Sequence, residues 1–184
     1  MLSRVIPNKG GLLTWATDFN APVPWVPRKR RALELAALGL LAIGVLVYIV
    51  DRVPESVYLL PTGWSLAKGD HAWFGGLGGQ LPEFVHVYAF GLLTAAAIAT
   101  SRRLALLCCA AWWLVDSLFE VGQHAAISPA IAAALPAWLE GIPFVENTGP
   151  YFIHGTFDPL DLAAIAIGAV AAYFTFVFYI REEE

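Results

Sequence analysis

The residues of this sequence able to do chemistry are ionisable groups set within apolar runs. Glu83 and His86 stand three residues apart. Asp116, Glu120, Gln123 and His124 follow one another at intervals of four, three and one, and His154 precedes Asp158-Pro159-Leu160-Asp161. On helices, spacings of three and four place each set on one face. Carboxylates and imidazoles brought together offer general acid–base transfer, ligation of a divalent metal through N/O donors, or hydrogen bonds that lock helices together. Glu120 and His124, at i and i+4, have the spacing of a chelate that His86 and Asp161 would complete, yet no H-E-x-x-H signature is present. Gly75-Gly76-Leu77-Gly78-Gly79 lacks the lysine of a phosphate loop. No serine stands with an evident base and orienting acid. The sequence names no cofactor.

Several of these residues also have a purely structural role to fill. Asp158-Pro159-Leu160-Asp161 has the form of a helix start: an Asp cap, Pro at the first helical position and an acid three residues after the cap. His86 is suited to an interhelical hydrogen bond, and His124 and His154 to a wet interface. Glu120 is harder to explain structurally, since leucine or glutamine costs less within a membrane. Cys108 and Cys109 read as small apolar fillers rather than metal ligands.

The elements that position these residues follow from composition. Of 184 residues, 58% are hydrophobic and 14% charged, against about 25% charged in soluble domains. A soluble enzyme, a disordered chain and a nucleic-acid binder are excluded, the last because a net charge of −4 provides no basic footprint. Four segments approach the about 20 apolar residues of a membrane span: 32–50, 82–100, 104–121 and 159–180. The first reads as a retained anchor, since no small-residue cleavage site follows it. The expected fold is an all-α, polytopic bundle of four transmembrane helices over 32–184, with an N-terminal arm over 1–31.

Orientation comes from the basic residues. Of the 11 Lys and Arg residues, all but Arg52 and Lys68 fall in the arm, in the turn Ser101-Arg102-Arg103, or at Arg181. Both termini are therefore expected on the cytoplasmic side. The arm, with Trp15, Trp25, Pro22, Pro24 and Pro27, reads as an interfacial or partner-docking segment. The outer loop 51–81 has Tyr58, Trp64, Trp73 and a glycine stretch, which read as an aromatic belt and a flexible connection. The second outer loop contains Ser128–Leu139, too short to span and broken by Pro136, and reads as an interfacial or re-entrant helix. Gly91, Ala95 and Ala99, and Ala164, Gly168 and Ala172, form stripes that let helices approach closely. Counting 1.5 Å per residue from the expected span ends places His86 and Glu120 at one depth, about 6 Å below the outer edge. Asp161 enters from that side too. His86, Glu120 and Asp161 should then meet in one cluster.

The residues just described resemble the VanZ-like family of small bacterial membrane proteins, named for a glycopeptide-resistance accessory protein. The resemblance covers residues 82–179. It is carried by Pro82-Glu83-Phe84-Val85-His86-Val87-Tyr88-Ala89-Phe90, by Glu120-Val121-Gly122-Gln123, and by Phe157-Asp158-Pro159-Leu160-Asp161 with Gly168. These are similar to the family's histidine on the second helix, Glu-x-x-Gln on the third and D-x-x-D at the start of the fourth. The chain departs from the family in having Pro82-Glu83 in place of a common Asp-Lys, His154 as the nearest substitute for an arginine, and Ile165 in place of an asparagine. The family has no settled biochemical activity, so the resemblance implies a fold and a bacterial inner-membrane location.

The expected function is that of a non-catalytic accessory or structural subunit of a cell-envelope or membrane complex. Its partners would be membrane lipids and other subunits docking on the arm and outer loops, with no nucleic acid. The alternatives are an enzyme acting on a lipid-linked or cell-wall precursor at the outer leaflet, and a small proton-coupled permease using Asp116 and Glu120.

Overall fold

The computed structural model describes residues 19–20, 22–23, 26–51, 66, 73–139, 141–142 and 145–181. Among these residues the α-helices are α1 (Pro27–Asp51), α2 (Leu77–Ile98), α3 (Arg102–Gly122), α4 (Ser128–Ala134), α5 (Thr148–His154) and α6 (Pro159–Arg181). Short 3-10 turns lie at Ala137–Leu139 and Val145–Asn147, and one isolated antiparallel bridge joins Pro22 to Ser101. The helices α1, α2, α3 and α6 are long and apolar enough to cross a membrane. The chain is an all-α, multi-pass membrane protein. Trp15, Trp25, Tyr58 and Trp64, assigned above to the arm and an aromatic belt, lie outside the described residues.

The central helix is α2, which packs on α1, α3 and α6, while α3 also packs on α6. Apolar burial does little to join helices already in lipid, so close approach through small residues and interhelical hydrogen bonds must do so. Gly91 lies against Cys109 and Ala172, and Gly168 against the backbone of Phe84. The small-residue stripes therefore form the seams of α2. Cys108 and Cys109 are buried free thiols in a core with Leu33, Ala37, Leu92, Ala95, Ala172 and Phe176, consistent with apolar filling. Two polar ties add to this packing. The Trp112 indole donates to Thr94 Oγ1 at 2.9 Å, joining α3 to α2, and the Tyr88 hydroxyl donates to Thr175 Oγ1 at 3.0 Å, joining α2 to α6.

One end of the bundle gathers the basic residues. The Val23 N–H donates to Thr100 O at 3.1 Å and the Arg103 N–H to Phe19 O at 2.6 Å. Phe19 packs beside Tyr173, and Lys29 is buried with its ammonium 3.5 Å from Ile180 O and over the Tyr179 ring. The last part of the arm thus docks on the α2–α3 turn and the end of α6. The first helix begins at Pro27 rather than at residue 32. Proline suits a first helical turn, and the basic residues that follow can extend toward water or toward the carbonyls ending α6.

At the other end, α2 begins at Leu77, five residues before the expected span start, so Pro82 lies inside the helix. The glycine stretch is a turn and a helix start rather than a flexible connection. Asp51, at the end of α1, accepts the N–H groups of Trp73 at 2.7 Å and Phe74 at 2.9 Å, which holds that turn. Gly75 occupies φ +53°, and a side chain at Gly78 would strike the Asp51 carboxylate. Over the same end, Ser128–Leu139 divides into α4 and a 3-10 turn around Pro136, and α5 is an additional helix packed on α4.

Candidate functional site

Each acid is brought to the site by a local structural reason. Asp158 caps α6, its Oδ1 accepting the Leu160 N–H at 2.9 Å, while the Asp161 N–H returns to Asp158 O at 3.0 Å. This is the helix start read from Asp158-Pro159-Leu160-Asp161. Glu120 lies in the last turn of α3 and is buried. Its Oε1 accepts the backbone N–H of Asp158 at 2.6 Å, so the end of α3 is tied to the start of α6 by a short hydrogen bond. Gln80 Nε2 reaches Asp158 Oδ2 at 3.5 Å, bringing the start of α2 to the same point.

One turn deeper, His86 Nδ1 stands 3.3 Å from Asp116 Oδ2. The Asp116 side chain is 9% exposed and that of His86 is 43% exposed, so a buried acid holds a half-open imidazole. Asp116 Oδ2 has no other hydrogen-bond partner among the described residues. The imidazole is edge-on to Phe90, with ring centroids 4.6 Å apart, and Phe90 in turn stacks on Trp112 at 4.7 Å. These rings fix the imidazole in the seam between α2 and α3.

Glu83 links the two levels, lying within electrostatic range of Asp161, His86, Glu120 and Asp116. The structure thus gathers His86, Asp116, Glu120 and Asp161 around Glu83, and Asp158 joins them through its bond to Glu120. The expected depth match needs correction, because His86 pairs with Asp116 and not with Glu120. With α2 starting at Leu77, His86 lies nine residues, about 14 Å, along the helix rather than four.

Gln123 serves a different contact. It caps the end of α3 and donates from Nε2 to the Tyr151 hydroxyl at 2.7 Å, while Gly122 leaves room for Phe152. This seats α5 on the end of α3. Burial pushes the Tyr151 phenol well above its ordinary range, and the negative charges of Glu83, Glu120 and Asp116 add to that rise. Sequence reasoning missed Tyr151 because Gly149-Pro150 reads as a turn. The signal was present, since proline is tolerated in a first helical turn and Phe152 and Tyr151 could cover a glycine face.

Two histidines stand apart from this arrangement. His124 is exposed, its Nδ1 accepting the Ala126 N–H at 3.2 Å and its ring resting on Phe157 at 5.4 Å. The chelate suggested by Glu120 and His124 is not formed: His124 lies beyond the helix end at Gly122, so the i, i+4 relation does not apply. No group of three His, Cys, Asp or Glu residues arranged to hold a metal occurs among the described residues. His154 ends α5 exposed to the surroundings.

Chemically, the arrangement can join three helices through backbone and carboxylate bonds, and can orient one imidazole with an acid. No family model, curated protein or solved structure matches the chain, so its function is argued from these contacts.

Proposed function

We propose that the chain is a non-catalytic accessory or structural subunit of a bacterial cell-envelope membrane complex, as its VanZ-like sequence features suggest. The observation that carries this reading is the bond from the Asp158 N–H to Glu120 Oε1. Within a membrane an unpaired backbone donor is costly, and here the buried acid in the last turn of α3 satisfies one. Capping and docking engage Asp158 and Gln123 in the same way. On this reading partner subunits dock on the N-terminal arm over 1–31 and on the outer loops.

Glu120→Gln tests the proposal. Its amide oxygen can still accept the Asp158 N–H, while the acid is gone. The variant should insert, migrate on a blue-native gel in the same complex as the wild type, and complement the envelope phenotype of a deletion strain. Deleting residues 1–18 should leave the bundle inserted but release it from the complex. Loss of complementation by Glu120→Gln, with the complex intact, would overturn the proposal.

One observation favours the second reading, a membrane enzyme acting on a lipid-linked or cell-wall precursor: the half-open His86 oriented by buried Asp116. A carboxylate can orient an imidazole for proton transfer in this way. On that reading His86→Gln abolishes complementation while assembly persists. On the accessory reading both survive.

We place the basic end in the cytoplasm, on the excess of Lys and Arg there. In a background lacking Cys108 and Cys109, cysteines at Gly76 and Ala126 should react with an impermeant thiol reagent added outside, and a cysteine at Ser101 should not. Labelling of Ser101 from outside would reverse the orientation.

A further inference from the structure

We infer that the start of α1 is a binding site for an anionic phospholipid of the leaflet at the basic end of the bundle. The inference is independent of the accessory reading. Pro27, Arg28, Arg31, Ala32 and Leu35 line a groove of about 440 Å³.

The four consecutive cations from Arg28 to Arg31 have different tasks. Lys29 turns inward to the end of α6, and Arg30 Nε pairs with Glu34 Oε1 at 3.0 Å. Arg28 and Arg31 are exposed, have no acidic partner among the described residues, and both line the groove. Three residues apart on a helix, they share one face. Two guanidinium groups on one face offer forked donors to the oxygens of a phosphodiester.

The same face continues into apolar surface. Leu35 is 69% exposed and lies about 10 Å along the helix from Arg28, toward the membrane interior. The groove is thus cationic at the membrane surface and apolar below it. A free phosphate would use only the upper part; a phospholipid uses both. The bonds from Val23 to Thr100 and from Arg103 to Phe19 anchor the preceding segment against the bundle, so the site is held in place at the lipid boundary.

The test uses the full chain in detergent, titrated with dioleoyl-phosphatidylglycerol in mixed micelles, with bound lipid counted by native mass spectrometry. Phosphatidylglycerol should bind more tightly than phosphatidylcholine, and millimolar inorganic phosphate should not displace it. Arg28→Gln combined with Arg31→Gln should weaken binding about 30-fold, while the charge-matched pair Arg30→Gln with Arg103→Gln should leave it within about twofold. Arg28→Lys with Arg31→Lys keeps the charges that orient the chain, and should still weaken binding severalfold by removing the forked contacts. Equal losses for both glutamine pairs, unchanged binding by the lysine pair, or displacement by inorganic phosphate would overturn the assignment.

Discussion

Gly168→Ala is expected to destabilise the bundle by about 2–3 kcal/mol, the upper part of the range for overpacking. The added methyl would stand 2.6 Å from the carbonyl oxygen of Phe84 and 3.4 Å from its Cα. Both are backbone atoms of α2, so no rotamer change can relieve the contact and the two helices must separate. Gly91→Ala is the control. Its methyl would meet Cys109 Sγ at 3.4 Å and Ala172 Cβ at 3.6 Å, which are ordinary van der Waals distances. Replacing a helical glycine also restricts the unfolded chain, so this variant should be neutral or gain up to about 1 kcal/mol. Unfolding in a graded series of denaturing detergent measures both. Equal effects at the two positions would mean that α2 and α6 do not approach at Gly168.

His86→Leu should cost about 2–3 kcal/mol, because it leaves the buried Asp116 carboxyl without its imidazole partner. Removing one member of a buried pair costs about 3–5 kcal/mol. The half-open position of His86 places the expected loss below that range. The double variant His86→Leu with Asp116→Leu removes the stranded acid and should recover most of the loss. Such recovery is a coupling energy, which a double-mutant cycle on unfolding reads directly. Strictly additive losses would show that the two residues do not stabilise each other.

The helix content was largely legible in the sequence, as was the presence of acids and a histidine near one end of the bundle. Four runs of about 20 apolar residues can satisfy their backbone in a membrane only as helices. The helix start at Asp158-Pro159-Leu160-Asp161 needed no tertiary information, because capping is local chemistry. Glu120 stood out because an acid in an apolar run is costly unless another element provides a donor. The element providing it, the Asp158 N–H, is 38 residues away, and only folding identifies it.

Where helix ends depend on distant partners, the sequence reading failed in a consistent direction. The glycines before Pro82 look like a linker, and Pro82 looks like a helix start. Asp51 on another helix accepts two amide donors of the preceding turn and thereby stabilises an earlier beginning. That displacement of five residues is more than one helical turn, and it moved His86 from the level of Glu120 to that of Asp116.

The sequence by itself determined that this is a four-span helical membrane protein with acids and a histidine near one end of the bundle, since hydropathy and helical periodicity are local properties. Tertiary structure decided which of those groups touch. It paired His86 with Asp116, joined Glu120 to the α6 start, and seated Tyr151 on Gln123. It also separated two glycines of identical appearance, because the space beside Gly168 is filled by backbone and the space beside Gly91 by side chains and one more distant Cα. Depth, register and approach between helices depend on atoms far apart in the chain, and no local pattern encodes them.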